Sequence, residues 1–207
     1  MGRPRQHDER TACSLLDAAE RIIEREGMGA LSVRRAAAAV GTTTRAVYSL
    51  FGAKEGLVVA LGTRAFTLLS EAMDALPLTD DPAHDLVEAG AVVFRRFTLG
   101  HPALFAIGFL HTGVLPDVAR AFRRAQEDAL ARLAARIGRL AEAGELGGRP
   151  VEDAIVEFHA LCEGLAALEL RGLLCTDDGE GRWRSALGAL VAGWGATVGD
   201  REPVRRR

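Results

Sequence analysis

Apolar side chains at Ala12, Leu15, Leu16, Ala19, Ile22 and Ile23 recur every three or four residues, while Arg21, Glu24 and Arg25 fall largely off that stripe. The spacing predicts a first helix with one face against a core, ending at Gly27. Leu31-Ser32 then precedes residues 33–40, where the Ser32 hydroxyl can cap a helix of about two turns. Its alanines allow close approach of a neighbour. Gly41 gives the backbone a tight exit, after which Thr42 or Thr43 can cap a third helix through Phe51, with Tyr48 and Phe51 reaching towards the domain.

A longer fourth helix opens at Ala53-Lys54-Glu55-Gly56-Leu57, runs through Leu61, Ala65, Leu68, Leu69, Ala72, Met73 and Leu76, and stops at Pro77. Two prolines and two aspartates break the periodicity over 77–82, and further helices are predicted near 83–99, 102–111, 116–143, 151–174 and 181–198. The expected fold class is all-α, with about nine helices. Three parts follow: a helix-turn-helix segment over 8–52, a larger helical domain over 53–200, and a basic tail over 201–207. The four arginines of that tail have no hydrophobic anchor, so solvation explains them better than a second nucleic-acid contact.

Composition supports the helical reading. Of 207 residues 48% are apolar and only 5% aromatic, enough to build a core but poor material for β packing. Cys13, Cys162 and Cys175 form neither a CxxC half-site nor a disulfide framework, so no metal or cofactor is expected. No stretch reaches the roughly 18 apolar residues of a bilayer span, and no signal-peptide pattern follows Met1. No membrane partner is expected, and the cytoplasm is the expected location.

The formal net charge of −2 hides an asymmetry. Through residue 64 ten basic side chains face seven acidic ones, a surplus of three that leaves the remainder at −5. Positive potential is thus concentrated at the end that carries the short helices.

That end displays Thr43, Thr44 and Arg45 at the start of the third helix: hydroxyls, a methyl and a bidentate donor that suit base edges in a major groove. Arg45 can read a base or hold a phosphate. Tyr48, one turn beyond Thr44, is placed for the DNA backbone with its ring on the domain, and Lys54 for a phosphate. Ser32 and Arg34, at the start of the second helix, suit another phosphate; Arg35 takes Arg34's place if the register differs by one.

Taken together, Ser32, Ala36-Ala37, Val40-Gly41, Thr43 to Tyr48, Phe51 and Lys54 resemble the N-terminal signature of the tetracycline-repressor-like (TetR) family of transcriptional regulators. The resemblance covers roughly residues 10–60. Ala36 stands where that family usually has Ile, Val40 where it usually has Ala, and Arg45 where a small residue is common. More weakly, Phe158-His159-Ala160-Leu161-Cys162-Glu163-Gly164-Leu165 and His101-Pro102-Ala103-Leu104-Phe105 resemble a subgroup with a Trp-His-Gly element, here with Phe for Trp and Glu for His. The resemblance implies a three-helix DNA-binding domain, a helical ligand-binding and dimerising domain, and a homodimeric repressor of a palindromic operator released by a small molecule.

Dimerisation also has a physical argument, since two short recognition helices about 34 Å apart read a palindrome that one cannot specify. The apolar residues of the last two helices, Phe158, Leu161, Leu165, Leu168, Trp183, Leu187, Leu190 and Trp194, could form a four-helix seam between subunits or an intramolecular core. Phe94, Phe97, Phe105, Phe109, His111 and Phe122 gather most of the aromatic material mid-chain, as core or as the lining of a site for a hydrophobic or aromatic effector.

Enzymatic chemistry finds little to stand on. His159 and Glu163 share a helical face without a third metal ligand, and Cys162 lacks an orienting group and an oxyanion site. Phosphate-binding glycine motifs are absent. The rival reading is a helical protein-interaction module that keeps the helix-turn-helix shape without binding DNA.

Overall fold

The first apolar stripe folds as α1 (Arg3–Glu26), nine residues longer at its start than the stripe itself requires. A computed structural model describes residues 3–110, 120–174 and 177–195, with side chains from Asp8 onward. After a 3-10 turn at Met28–Ala30 come α2 (Val33–Ala39), α3 (Thr44–Phe51) and α4 (Lys54–Ala75). Next are α5 (Pro82–Glu88) and α6 (Arg95–Gly100), joined without a break by a π-helical segment at Ala89–Phe94. α7 (Pro102–Phe105) continues into a second π segment at Ala106–Leu110, and α8 (Arg120–Glu142), α9 (Val151–Leu170) and α10 (Gly179–Gly195) complete the order. The described residues thus form nine continuous helical segments and no strand.

Local chemistry fixes the boundaries. The Ser32 hydroxyl accepts from the Arg35 amide at 3.2 Å, Thr43 from Ala46 at 3.2 Å, and the Asp81 carboxylate from His84 at 2.8 Å. Each hydrogen bond satisfies one amide that its helix leaves open. Gly41 takes a φ of +68°, the left-handed turn that lets the Thr42 amide reach back to the Ala37 carbonyl at 3.0 Å and end α2. α9 stops four residues short of the expected 174. Its end is closed by the same kind of reverse bond, Leu173 amide to Leu168 carbonyl at 2.9 Å.

Packing divides the chain into two compact units, Met1–Leu68 with Gly100–Asp128 and Leu69–Leu99 with Ala129–Arg207. In the first, α1 packs on α2, α3 and α7, and Leu15, Ala19, Leu31, Ala36, Val47 and Leu57 are buried together with Phe105 and Phe122. Ala36 is fully buried.

In the second unit α10 packs on α9, α5 and the first π segment. A Cβ built on Gly90 would stand 2.4 Å from Leu187 Cδ1 and 3.1 Å from both Cys162 Sγ and Phe158 Cζ, so glycine is what lets this segment seat there. Two tryptophans pin α10 to α9. Trp183 Nε1 donates to Glu169 and Trp194 Nε1 to Glu157, both at 2.7 Å, and each carboxylate is neutralised by an arginine, Arg95 and Arg149 respectively. Pairing of this kind offsets part of the cost of drawing a carboxylate out of water beside an indole. Arg136, nearly fully buried, donates to the Met73 and Leu76 carbonyls at 2.9 Å where α4 ends, joining the Leu76 amide on the Met73 oxygen.

α4 is the one described helix long and apolar enough to cross a membrane, contrary to the expectation that no segment reaches that length. Its apolar window is half buried inside the protein, with Leu57, Leu61, Ala65 and Phe66 among the core, which accounts for its hydropathy without a bilayer.

Candidate functional site

α2 and α3 pack on each other and on α1, which fixes what α3 can show to solvent. Val47 is its fully buried residue, with Ala46, Leu50 and Phe51 half-buried beside it. Thr43, Thr44, Arg45, Tyr48 and Ser49 face outward. The expected inward ring of Tyr48 is corrected by this register: Tyr48 is 54% exposed, because it follows Val47 by one residue and about 100° of helical rotation turns it off the core.

Hydroxyls and cations at this surface are engaged unequally. Ser32 and Thr43 use their oxygens as helix caps, leaving their own O–H groups to donate. Arg35 is committed internally. Its guanidinium binds the Glu26 carboxylate through both terminal nitrogens, one at 2.9 Å, and reaches the Ala30 carbonyl at 3.4 Å. The hydrogen bond from Arg35 holds the Glu26 carboxyl below the usual carboxylate range. Arg34 and Arg45, by contrast, are exposed with no hydrogen-bond or ion-pair partner among the described residues; Lys54, at the start of α4, is half-buried and also unpaired there. Of the two neighbouring arginines on α2, Arg34 is therefore the available cation.

The six effector candidates fall in different places. Phe105 and Phe122 are buried in the first unit and Phe109 is half-buried there; Phe94 and Phe97 are buried in the second; His111 lies outside the described residues. In the first unit Phe109 stacks on Phe105 with ring centres 5.4 Å apart and meets Phe66 at 4.9 Å, and Phe66 meets Phe122 edge-on at 5.4 Å. Phe66 belongs to this group and was not among the candidates, because it stands on α4, far along the chain from the others. Phe94 instead packs near Trp183, 6.3 Å between ring centres.

The apolar seam read on the last two helices is mostly internal. Phe158, Leu165, Trp183, Leu187 and Trp194 are buried within the second unit, where α9 and α10 bury them against each other, α5 and the π segment. Leu161 and Leu190 are half-buried and Leu168 is 40% exposed. Exposed apolar residues of α9 that periodicity passed over are Val156, at 67%, and Leu170, at 39%.

Burial pushes the Cys162 thiol far above its ordinary value, which removes the thiolate a nucleophile needs. His159 and Glu163 meet each other at 3.1 Å on one helix face. Among the described residues no group of three or more metal-ligating side chains comes together.

Residues 15–61 match the family described as bacterial regulatory proteins, tetR family, and residues 87–190, half of the chain, match the tetracyclin repressor-like C-terminal domain. The latter description is general and does not single out the Trp-His-Gly subgroup. No curated protein matches the sequence. Among solved structures, a protein from Rhodococcus sp. RHA1 superposes with a TM-score of 0.78 at 22% identity, covering 89% of this chain and 95% of its own. The transcriptional regulator FadR from Bacillus subtilis, solved in complex with stearoyl-CoA, gives 0.74 at 17% identity, with 87% and 98% covered. PfmR, a TetR family transcriptional regulator from Thermus thermophilus, gives 0.64 at 19%, with 86% and 96% covered. At such identities these structures speak for the fold, and the two family matches for the lineage. The chain belongs to the tetR family of bacterial regulatory proteins: it is an all-helical, DNA-binding transcriptional regulator and not an enzyme.

Proposed function

We propose that the chain acts as a homodimeric repressor that binds a palindromic operator through α3 and is released by a small, largely hydrophobic effector. The observation that carries this reading is the partition of cations at the α2–α3 surface, where Arg35 is neutralised while Arg34, Arg45 and Lys54 are unpaired among the described residues. In the assignment proposed here, Thr43, Thr44 and Arg45 enter the major groove, Tyr48 donates to the DNA backbone, and Ser32, Arg34 and Lys54 hold phosphates. Residues 8–52 serve as the DNA-binding part and 53–200 as the effector-binding and dimerising part.

The dimer face proposed is the solvent side of α9 and α10, where Val156 and Leu168 stand among small residues and where Leu161 and Leu190 are part-exposed. Apolar side chains kept in water on a regular face are the usual mark of a partner surface. For the effector, the group of Phe66, Phe105, Phe109 and Phe122 supports an apolar ligand, and the similarity to FadR, solved with stearoyl-CoA, points to an acyl chain as the first class to try. Subunit rearrangement that moves recognition helices off their half-sites needs a difference in effector affinity of about 5.5 kcal/mol to empty a nearly saturated operator.

Selection of duplexes from a random library by the full chain tests the reading. An enriched inverted repeat with half-site centres about one helical turn apart is expected. Enrichment of a single half-site would remove the dimer, and no enrichment at all would leave the interaction module in its place.

A further inference from the structure

Glu20 is a carboxylate of α1 that sits 7% exposed, yet its partners come from beyond the three-helix segment. His101 Nδ1 lies 2.7 Å from its Oε1, and Arg64 of α4 reaches within 3.9 Å of the other oxygen while bonding Asp17 at 2.5 Å. A carboxylate buried this far is expensive unless directly paired, so the His101 contact is what makes Glu20 tolerable there.

His101 is also the residue from which α7 starts, with Pro102 in the first helical position. One turn further on stands Phe105, fully buried and stacked on Phe109, which in turn packs on Phe66. α1 also packs against α2 and α3, and Leu15, Ala19 and Ile23 are among its buried residues. A continuous set of contacts within one compact unit therefore runs from the aromatic group, along α7, across one directional hydrogen bond, to the helices that carry Arg34 and Arg45.

We infer that the His101–Glu20 contact is the joint through which displacement of the Phe105–Phe109 stack repositions the DNA-facing helices. A 2.7 Å hydrogen bond is lost when its partners part by about 1 Å, which gives the joint two states, engaged and broken. His101 is thus a positioning residue for DNA binding. The inference rests on the reading that an effector enters this aromatic group, and it is tested without any effector.

In the full-length chain, Phe109→Trp drives extra volume into the stack, and His101→Ala cuts the joint. Affinity for the selected duplex is measured in the four members of this cycle, with hydrogen exchange of residues 33–51 as a second readout that needs no operator. Phe109→Trp should weaken binding about tenfold and speed exchange when His101 is present, a change inside the roughly 5–150-fold range of coupling between sites. With His101→Ala in place it should change binding less than about twofold. His101→Gln, which keeps an N–H donor, should restore part of the response. Should His101→Ala not fold, Glu20→Met, which fills the same space without a carboxylate acceptor, takes its place in the cycle. Equal weakening with and without His101, or no response to Phe109→Trp at all, overturns the inference. Failure of the effector reading shows elsewhere, as no heat of binding when stearoyl-CoA is titrated into the unmutated protein, and leaves the cycle intact.

Discussion

Glu26→Gln should make this protein a stickier and less selective DNA binder. Glu26 holds Arg35 through both terminal guanidinium nitrogens, and the two side chains remain about half exposed, at 49% and 46%. An ion pair that wet contributes little to folding. Its consequence lies in withholding one cation from phosphate beside Arg34. Because the Arg35 hydrogen bond holds the Glu26 carboxyl below its ordinary range, the restraint operates at the near-neutral pH where operator binding is assayed. Freeing Arg35 adds one phosphate contact per protomer, which steepens the log-log salt dependence by about 0.9, or roughly 1.8 in a dimer. Between about 50 and 200 mM salt the variant should therefore lose roughly twelvefold more affinity than the parent, starting from tighter binding at the low end. Fluorescence anisotropy on the selected and a scrambled duplex across a salt series measures this, and the gain should be as large on the scrambled one. An unchanged slope refutes the reasoning. So does a steeper slope that persists in E26Q/R35A, since the effect would then come from losing the negative charge and not from releasing Arg35.

Two further predictions concern the second unit. Gly90→Ala places a methyl 2.4 Å from Leu187 Cδ1 and 3.1 Å from Cys162 and Phe158. It should cost about 1–3 kcal/mol, seen as a fall in Tm of about 2–4 °C for each kcal/mol in a chain of this size, with no shift contradicting the packing. Asp85 is buried and accepts from the Thr79 amide and hydroxyl, both at 2.8 Å, as well as from Arg139. Burial alone would raise its pKa, but the bonds from Arg139 and Thr79 outweigh it and hold the carboxyl low. A depressed pKa stabilises the fold above the ordinary aspartate value of 3.8, and that contribution fades as pH falls below it towards the native value. Asp85→Asn should cost about 1–3 kcal/mol at neutral pH and flatten acid unfolding below pH ~4, as followed by circular dichroism. An equally steep acid limb would clear Asp85 of that role.

What could be read from the sequence was local. Ser32, Gly41 and Thr43 mark helix ends through bonds made within four or five residues, so α2 and α3 stand within a residue of their expected limits. Periodicity also identified the buried faces of α9 and α10. It does not say what covers a face, and Trp183, Leu187 and Trp194 turned out to be covered by their own chain. The same limit explains the aromatic candidates, whose nearness in sequence concealed that Phe94 and Phe105 belong to different packing units and that Phe66 joins the latter. Long-range ion pairs leave no periodic trace at all. Nothing in the spacing of Glu26 and Arg35, Glu20 and His101, or Arg95 and Glu169 announces that they meet, and the first of these pairs decides which arginine is free for DNA.

The account turns on α3 presenting Arg45 to base edges. Its sharpest test compares the unmutated chain with Arg45→Ala on the selected operator, on operators changed one base pair at a time, and on a scrambled duplex at fixed salt. The expected result is a loss of about 1–3 kcal/mol on the operator, relaxed preference at one position of each half-site, and little change on the scrambled duplex. Equal losses on every duplex would place Arg45 on a phosphate, and no loss on any would remove α3 from the interface.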